Sequence, residues 1–132
     1  MLDNSDWFGS SVTALGDLDQ DGIVDLAVGA ERHEDGGAVR GAVWLLFLRR
    51  DGTVRSHQKI SDTQGGFNGV LDNSDWFGSS IAAIGDLNQD GIVDMAVGAN
   101  RNDDGGLDRG AVWLLFLRRD GTVRSHQKIS DT

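Results

Sequence analysis

Carboxylates gather twice along this chain at a spacing that suits one kind of chemistry. Asp17-Leu18-Asp19-Gln20-Asp21-Gly22-Ile23-Val24-Asp25 places acidic side chains at positions 1, 3, 5 and 9, with glycine at 6. Further on, Asp86, Asn88, Asp90, Gly91 and Asp94 occupy the same places. Alternate residues of a tight loop point to its inside, so oxygens from positions 1, 3 and 5 converge, and the glycine permits the sharp turn. An all-oxygen set of this kind suits a hard cation, with Ca²⁺ the best fit. A helix-loop-helix calcium site is excluded, because it needs glutamate at position 12, where Val28 and Val97 stand. The competing reading is a solvated acidic turn. It explains the pattern less well, since carboxylates this close repel one another without a cation, and the grouping occurs twice.

Other residues with chemical potential have plainer explanations. Trp44, Trp113, Phe47 and Phe116 sit in the middle of apolar runs, which favours packing over a ligand-stacking platform. Trp7 and Trp76 adjoin the start of a strand and either pack or line a ligand site. His57 and His126 lie in polar segments with no second imidazole nearby in sequence, so a solvated edge is the expectation. His33 is replaced by Asn102 at the equivalent place, which argues against a shared catalytic role. Arg49-Arg50 and Arg118-Arg119 flank turns and keep an edge soluble. Gly36-Gly37 and Gly105-Gly106 lack the strand-to-helix setting of a phosphate cradle, and Ser10-Ser11 lacks a G-x-S-x-G context. No nucleophile, general base or paired-carboxylate arrangement stands outside the two acidic loops, so the chain is not expected to be an enzyme.

The composition agrees. Among 132 residues, 21 are acidic and 12 are lysine or arginine, for a net charge of −9. That balance argues against nucleic acid and against an anionic membrane surface, which both need basic patches. Cysteine is absent, which excludes disulfides, zinc thiolate sites and thiol catalysis. No apolar run approaches the roughly 20 residues that cross a bilayer, and Met1–Asn4 does not read as a signal peptide.

An internal repeat dictates the elements that position the loops. Leu2 to Ser11 recurs unchanged from Leu71 to Ser80, and residues 1–63 align with 70–132 without a gap. The segments Arg40–Thr63 and Arg109–Thr132 are identical. The sharpest differences cluster where Glu31, His33, Ala38 and Val39 face Asn100, Asn102, Leu107 and Asp108. Within a copy, Ser10–Leu15 is small and β-branched, Ile23–Ala30 alternates, and Ala42–Leu48 is apolar throughout. Asp51-Gly52 signals a hairpin, and Thr53–Ile60 after it is mostly polar. Each copy is therefore expected to be a four-stranded antiparallel meander, with a third strand buried on both faces and a polar fourth strand at the edge. The expected organisation is 1–63, a connector over 64–69, and 70–132.

Phe8-Gly9, the aspartate loop, Asp25-Leu26-Ala27-Val28-Gly29-Ala30 and Gly41-Ala42-Val43-Trp44 resemble the FG-GAP repeat of integrin-α-type β-propellers. Phe77-Gly78, Asp94-Met95-Ala96-Val97-Gly98-Ala99 and Gly110-Ala111-Val112-Trp113 carry the resemblance a second time. It implies an all-β fold of two propeller blades per chain, and two Ca²⁺ ions. One ion would be held by Asp17, Asp19, Asp21, the Ile23 carbonyl and Asp25, the other by Asp86, Asn88, Asp90, the Ile92 carbonyl and Asp94. The chain departs from the family at Glu31 and Asn100, which follow Gly-Ala where proline is frequent. It departs again in blade number, because members close a ring of about seven blades on one chain. The expectation is a unit of a longer array.

A non-catalytic scaffold or adhesion module follows as the expected function, extracellular or at a cell surface. It would bind a protein or glycan ligand on the face built from 31–40, 64–75 and 100–109. A glycan-binding lectin propeller is the alternative, and a hydrolase-associated propeller comes after it. Two blades leave one apolar face open at each end, so self-association into a homo-oligomeric ring is also expected. Four chains would give eight blades, and three would give six.

Overall fold

The computed structural model describes residues 7–31, 40–61, 63–67, 69, 71, 75–99 and 110–130. Eight strands make up the described secondary structure: β1 (Phe8–Gly16), β2 (Asp25–Ala30), β3 (Ala42–Leu48), β4 (Val54–Ser61), β5 (Phe77–Gly85), β6 (Asp94–Ala99), β7 (Ala111–Leu117) and β8 (Val123–Ile129). They form two antiparallel sheets in the orders β1-β2-β3-β4 and β5-β6-β7-β8. Neighbours in sequence are neighbours in space, as in a meander, and among the described residues there is no helix. These are two propeller blades.

The strands follow from side-chain type. In β3, the unbroken run of Val, Trp, Leu and Phe sends residues alternately to both faces of the sheet, and both faces are covered. Val43, Leu45 and Phe47 are buried on one side, while Trp44 is buried on the other. β2 is likewise closed in, since Asp25, Ala27, Val28, Gly29 and Ala30 are all buried. β4 is exposed over Val54–His57 and turns inward only at Lys59, Ile60 and Ser61. Its polar composition matches that position at the sheet edge.

The blades meet through one apolar core. Val43, Leu45 and Phe47 of blade 1 join Phe77, Met95, Val97, Trp113, Leu115 and Leu117 of blade 2. Fully burying side chains of this size contributes about 1.5–3 kcal/mol each. Polar contacts fix the approach. The Phe77 N–H donates to the Arg40 carbonyl at 2.9 Å, the Val123 N–H to the Gly65 carbonyl at 2.8 Å, and the Ser11 hydroxyl to the Gly78 carbonyl at 2.8 Å. Glycine is required where the backbones come closest. Gly41 has φ +94°, and a Cβ there would lie 2.0 Å from the Phe77 carbonyl oxygen.

The face of β7 turned away from the shared core is open. On β7, Val112 is exposed and Leu114 and Phe116 are half-buried, whereas their counterparts Val43, Leu45 and Phe47 are buried.

Candidate metal centre

Each acidic loop joins the first strand of a blade to the second. The chain leaves β1 at Gly16, turns through 17–24 and re-enters the sheet at Asp25, whose backbone pairs with Gly16. The aspartates themselves shape the turn. Asp17 accepts the Asp21 N–H at 2.9 Å on one oxygen and the Gly22 N–H at 2.7 Å on the other, and Asp21 accepts the Ile23 N–H at 2.9 Å. Gln20 and Gly22 both have positive φ, at 62° and 87°. Glycine takes that conformation without strain, which gives position 6 of the loop its residue type. The second loop repeats the pattern, with Asp86 accepting from Asp90 and Gly91 at 2.9 and 2.7 Å and Asp90 from Ile92 at 2.9 Å.

Asp25 anchors the loop to the sheet. It is almost fully buried and accepts the Leu18 N–H at 3.0 Å and the Leu48 N–H at 3.3 Å. Loop and β3 are thereby tied to one carboxylate. Asp94 does the same with Leu87 at 3.1 Å and Leu117 at 3.2 Å.

In the first loop, one oxygen from each of Asp17, Asp19, Asp21 and Asp25 lies within 4.8 Å of the others. In the second, Asp86, Asp90 and Asp94 come together in the same way, with Asn88 at the place of Asp19. The electrostatics are those of a negative cage. Burial pushes the Asp25 carboxyl above the usual carboxylate range, and the charges of Asp19 and Asp21 push it further. Burial likewise raises Asp94. Asp21 and Asp90 move down, mainly because the Ile23 and Ile92 N–H groups donate to their ionised forms.

The donor set fits a hard cation. The Oδ1 atom of Asp19 is buried and has no hydrogen-bond partner among the described residues. A buried carboxylate oxygen without a partner is costly, and a coordinated cation would relieve that cost.

One pair of residues at the site escapes sequence reasoning. Arg55 reaches from β4 over the first loop, with Nη2 paired to Asp19 Oδ2 and 3.1 Å from Asp21 Oδ2. Arg124 holds the same position in the second blade, 2.7 Å from Asp90. The only sequence signal is their shared offset of 34 residues from Asp21 and Asp90.

The other candidate residues are dispersed. Trp7 and Trp76 both have φ 61° and accept N–H donation from Ser10 and Ser79 through their carbonyls, in a turn that opens the first strand. Trp44 and Trp113 are packing residues, 8% and 3% exposed. His57 and His126 lie beside them, with ring centroids 5.3 Å apart in each blade. His33, the two Gly-Gly pairs, and most of the loop face at 31–40, 64–75 and 100–109 lie outside the described residues.

The sequence profile of the FG-GAP repeat matches residues 8–46 and 77–115, once in each blade. The chain belongs to the FG-GAP repeat family. Both matched segments run from the first strand through the acidic loop into the third strand. Among relatives, integrin alpha-3 of Cricetulus griseus is 40% identical over 127 residues, which is 93% of this chain and 11% of the relative. Integrin alpha-5 of Xenopus laevis is 44% identical over 123 residues, 90% of this chain and 11% of the relative. Human integrin alpha-D is 36% identical over 110 residues, 82% of this chain and 8% of the relative. The chain thus spans about a tenth of the length of these relatives.

Proposed function

We propose that the chain is a calcium-binding propeller module with no catalytic activity, acting as a scaffold for protein binding or adhesion. Its blades would divide at 1–63 and 70–132, with 64–69 between them. Two Ca²⁺ ions would bind per chain. Asp17, Asp19, Asp21, the Ile23 carbonyl and Asp25 would take one, and Asp86, Asn88, Asp90, the Ile92 carbonyl and Asp94 the other. The observation that carries this reading is the convergence of four carboxylates in the first loop, with the buried Asp19 Oδ1 left without a hydrogen bond.

These loops lack a bidentate glutamate at the end of the site, so affinity falls in the range of roughly 10⁻⁶ to 10⁻³ M. Such sites fill outside a cell, where calcium is plentiful, and the module is accordingly extracellular or at a cell surface. A protein or glycan ligand would be bound on the loop face. The lectin reading stays secondary, and a glycan array on the calcium-loaded protein separates it from protein binding.

Assembly follows from the open faces. Blade 2 exposes Val112 and Ile129 where blade 1 buries Val43 and Ile60 at the internal junction. A second copy of the chain could cover that face with its own blade 1, in the geometry of the internal junction. The contact is head-to-tail and closes if the rotation permits. Four chains would make eight blades, with three chains and six blades as the alternative. Light scattering in calcium should give four times the 14.2 kDa chain mass, and a folded monomer at micromolar concentration would rule out the ring. Calcium binding itself is tested by thermal unfolding. Curves that superimpose in calcium and in excess chelator would exclude it.

A further inference from the structure

Leu18 and Leu87 hold the same place in the two acidic loops, directly after the first aspartate, yet their surroundings differ. Leu18 is 2% exposed and belongs to the apolar core that the two blades share. Leu87 is 54% exposed. Their loops make the same bonds: the Leu18 N–H donates to Asp25 Oδ2 at 3.0 Å, and the Leu87 N–H to Asp94 Oδ2 at 3.1 Å. The neighbouring blade accounts for the difference. Blade 2 covers the side of blade 1 that holds Leu18, and among the described residues nothing covers that side of blade 2.

The internal junction shows what fits such a side. The Ser11 hydroxyl donates to the Gly78 carbonyl at 2.8 Å, and the last hairpin of blade 2 lays Gly121 so close that a Cβ there would lie 3.1 Å from Leu45 and Phe47. On the uncovered side of blade 2, Ser80 stands exposed in the place of Ser11, and Leu114 and Phe116 stand in the places of Leu45 and Phe47. Blade 1 presents the matching halves. Gly9 and Gly52 are the counterparts of Gly78 and Gly121, and a Cβ on either would have nothing within 4 Å.

We propose that the 86–94 loop is part of the surface that docks blade 1 of a second copy, with Leu87 entering the new junction as Leu18 enters the internal one, and that calcium in this loop strengthens the docking. Docking of this kind rests on the head-to-tail assembly proposed above and adds its regulation. The link runs through Asp94, which accepts the Leu87 N–H and belongs to the carboxylate group that would hold the cation. Without a cation Asp86, Asp90 and Asp94 repel one another. A loop already held in one shape loses less freedom on docking. Calcium in the 17–25 loop has no such effect on association, because Leu18 is covered within its own chain.

Sedimentation equilibrium of the full chain at micromolar concentrations, in calcium and in chelator, tests this. The parent should associate about tenfold more tightly in calcium. Leu87→Ala should weaken association in calcium about tenfold, the effect of burying about half of a leucine side chain, and should leave the thermal midpoint of the dilute protein unchanged. Asp90→Asn should abolish the calcium dependence of association, and Asp21→Asn should preserve it. Association that is equal in the parent and Leu87→Ala, or indifferent to calcium, would overturn the proposal and leave the assembly standing. So would a calcium dependence that survives Asp90→Asn. A parent that stays monomeric in both conditions would refute the assembly itself, and the proposal with it.

Discussion

Asp25→Asn separates what this carboxylate does for the fold from what it does for a cation. Asp25 is almost fully buried and accepts the N–H groups of Leu18 at 3.0 Å and Leu48 at 3.3 Å. An asparagine of the same shape can present its oxygen to one of them, and Leu18 holds the shorter bond. The Leu48 N–H then loses its acceptor, at a cost of about 1–3 kcal/mol. Against that, removing a charge that burial and the neighbouring Asp19 and Asp21 disfavour returns part of the loss. The expected outcome in chelator is a variant within about 2 kcal/mol of the parent. In calcium at 100 times Kd, each filled site adds about 2.7 kcal/mol, and the variant should retain only the share of the 86–94 loop. Urea unfolding followed by tryptophan fluorescence, with and without calcium, reads both quantities. An unchanged calcium-linked gain would refute the assignment of Asp25 as a ligand. A collapse of the ion-free fold would refute the energetic reasoning about its burial.

Three further outcomes follow from the same geometry. Asn88→Asp restores a carboxylate to the second loop and should tighten calcium there about fivefold, on the order of one screened charge interaction, which calorimetry measures. Arg55→Gln removes the guanidinium that pairs with Asp19 and Asp21 and should also tighten the first site about fivefold; weaker binding would mean that Arg55 orients the ligands instead of competing for them. Asp51 and Asp120 are held below the usual carboxylate range by hydrogen bonds from Thr53 and Thr122, so the stability they contribute is present above pH 3.8 and lost as pH falls through their lowered values. Asp51→Asn with Asp120→Asn should therefore make the acid limb of the stability curve shallower below pH 3.8, as acid titration followed by circular dichroism would show.

The strands were largely legible because their periodicity is strong. Ala42–Leu48 is a strand at the bounds its apolar run predicts, and the polar segment after Asp51-Gly52 is the edge strand β4. β2 begins at Asp25, two residues later than the alternation suggests, because Ile23 is held in the loop by Asp21. A loop carboxylate claimed the backbone before the sheet could. The carboxylates at positions 1, 3, 5 and 9 were visible as a spacing. Their second role, shaping the turn by accepting backbone N–H groups of the loop, was not. Arg55 and Arg124 were hidden because a polar edge strand gives no hint of which side chains fold back over a loop some 34 residues away. His126 read as a solvated edge, yet it packs against Phe67 and Trp113. The connector phenylalanine that covers it is distant in sequence, and only the three-dimensional junction brings them together.

Two cation sites per chain are proposed, and their number is directly measurable. Isothermal titration of Ca²⁺ into chelator-stripped protein should give a stoichiometry of two ions per chain, with the 17–25 loop filling first. Two ions that vanish to one in Asp25→Asn would assign the sites to the loops. A titration with no saturable heat, repeated by equilibrium dialysis with no bound calcium at millimolar concentration, would contradict the central claim.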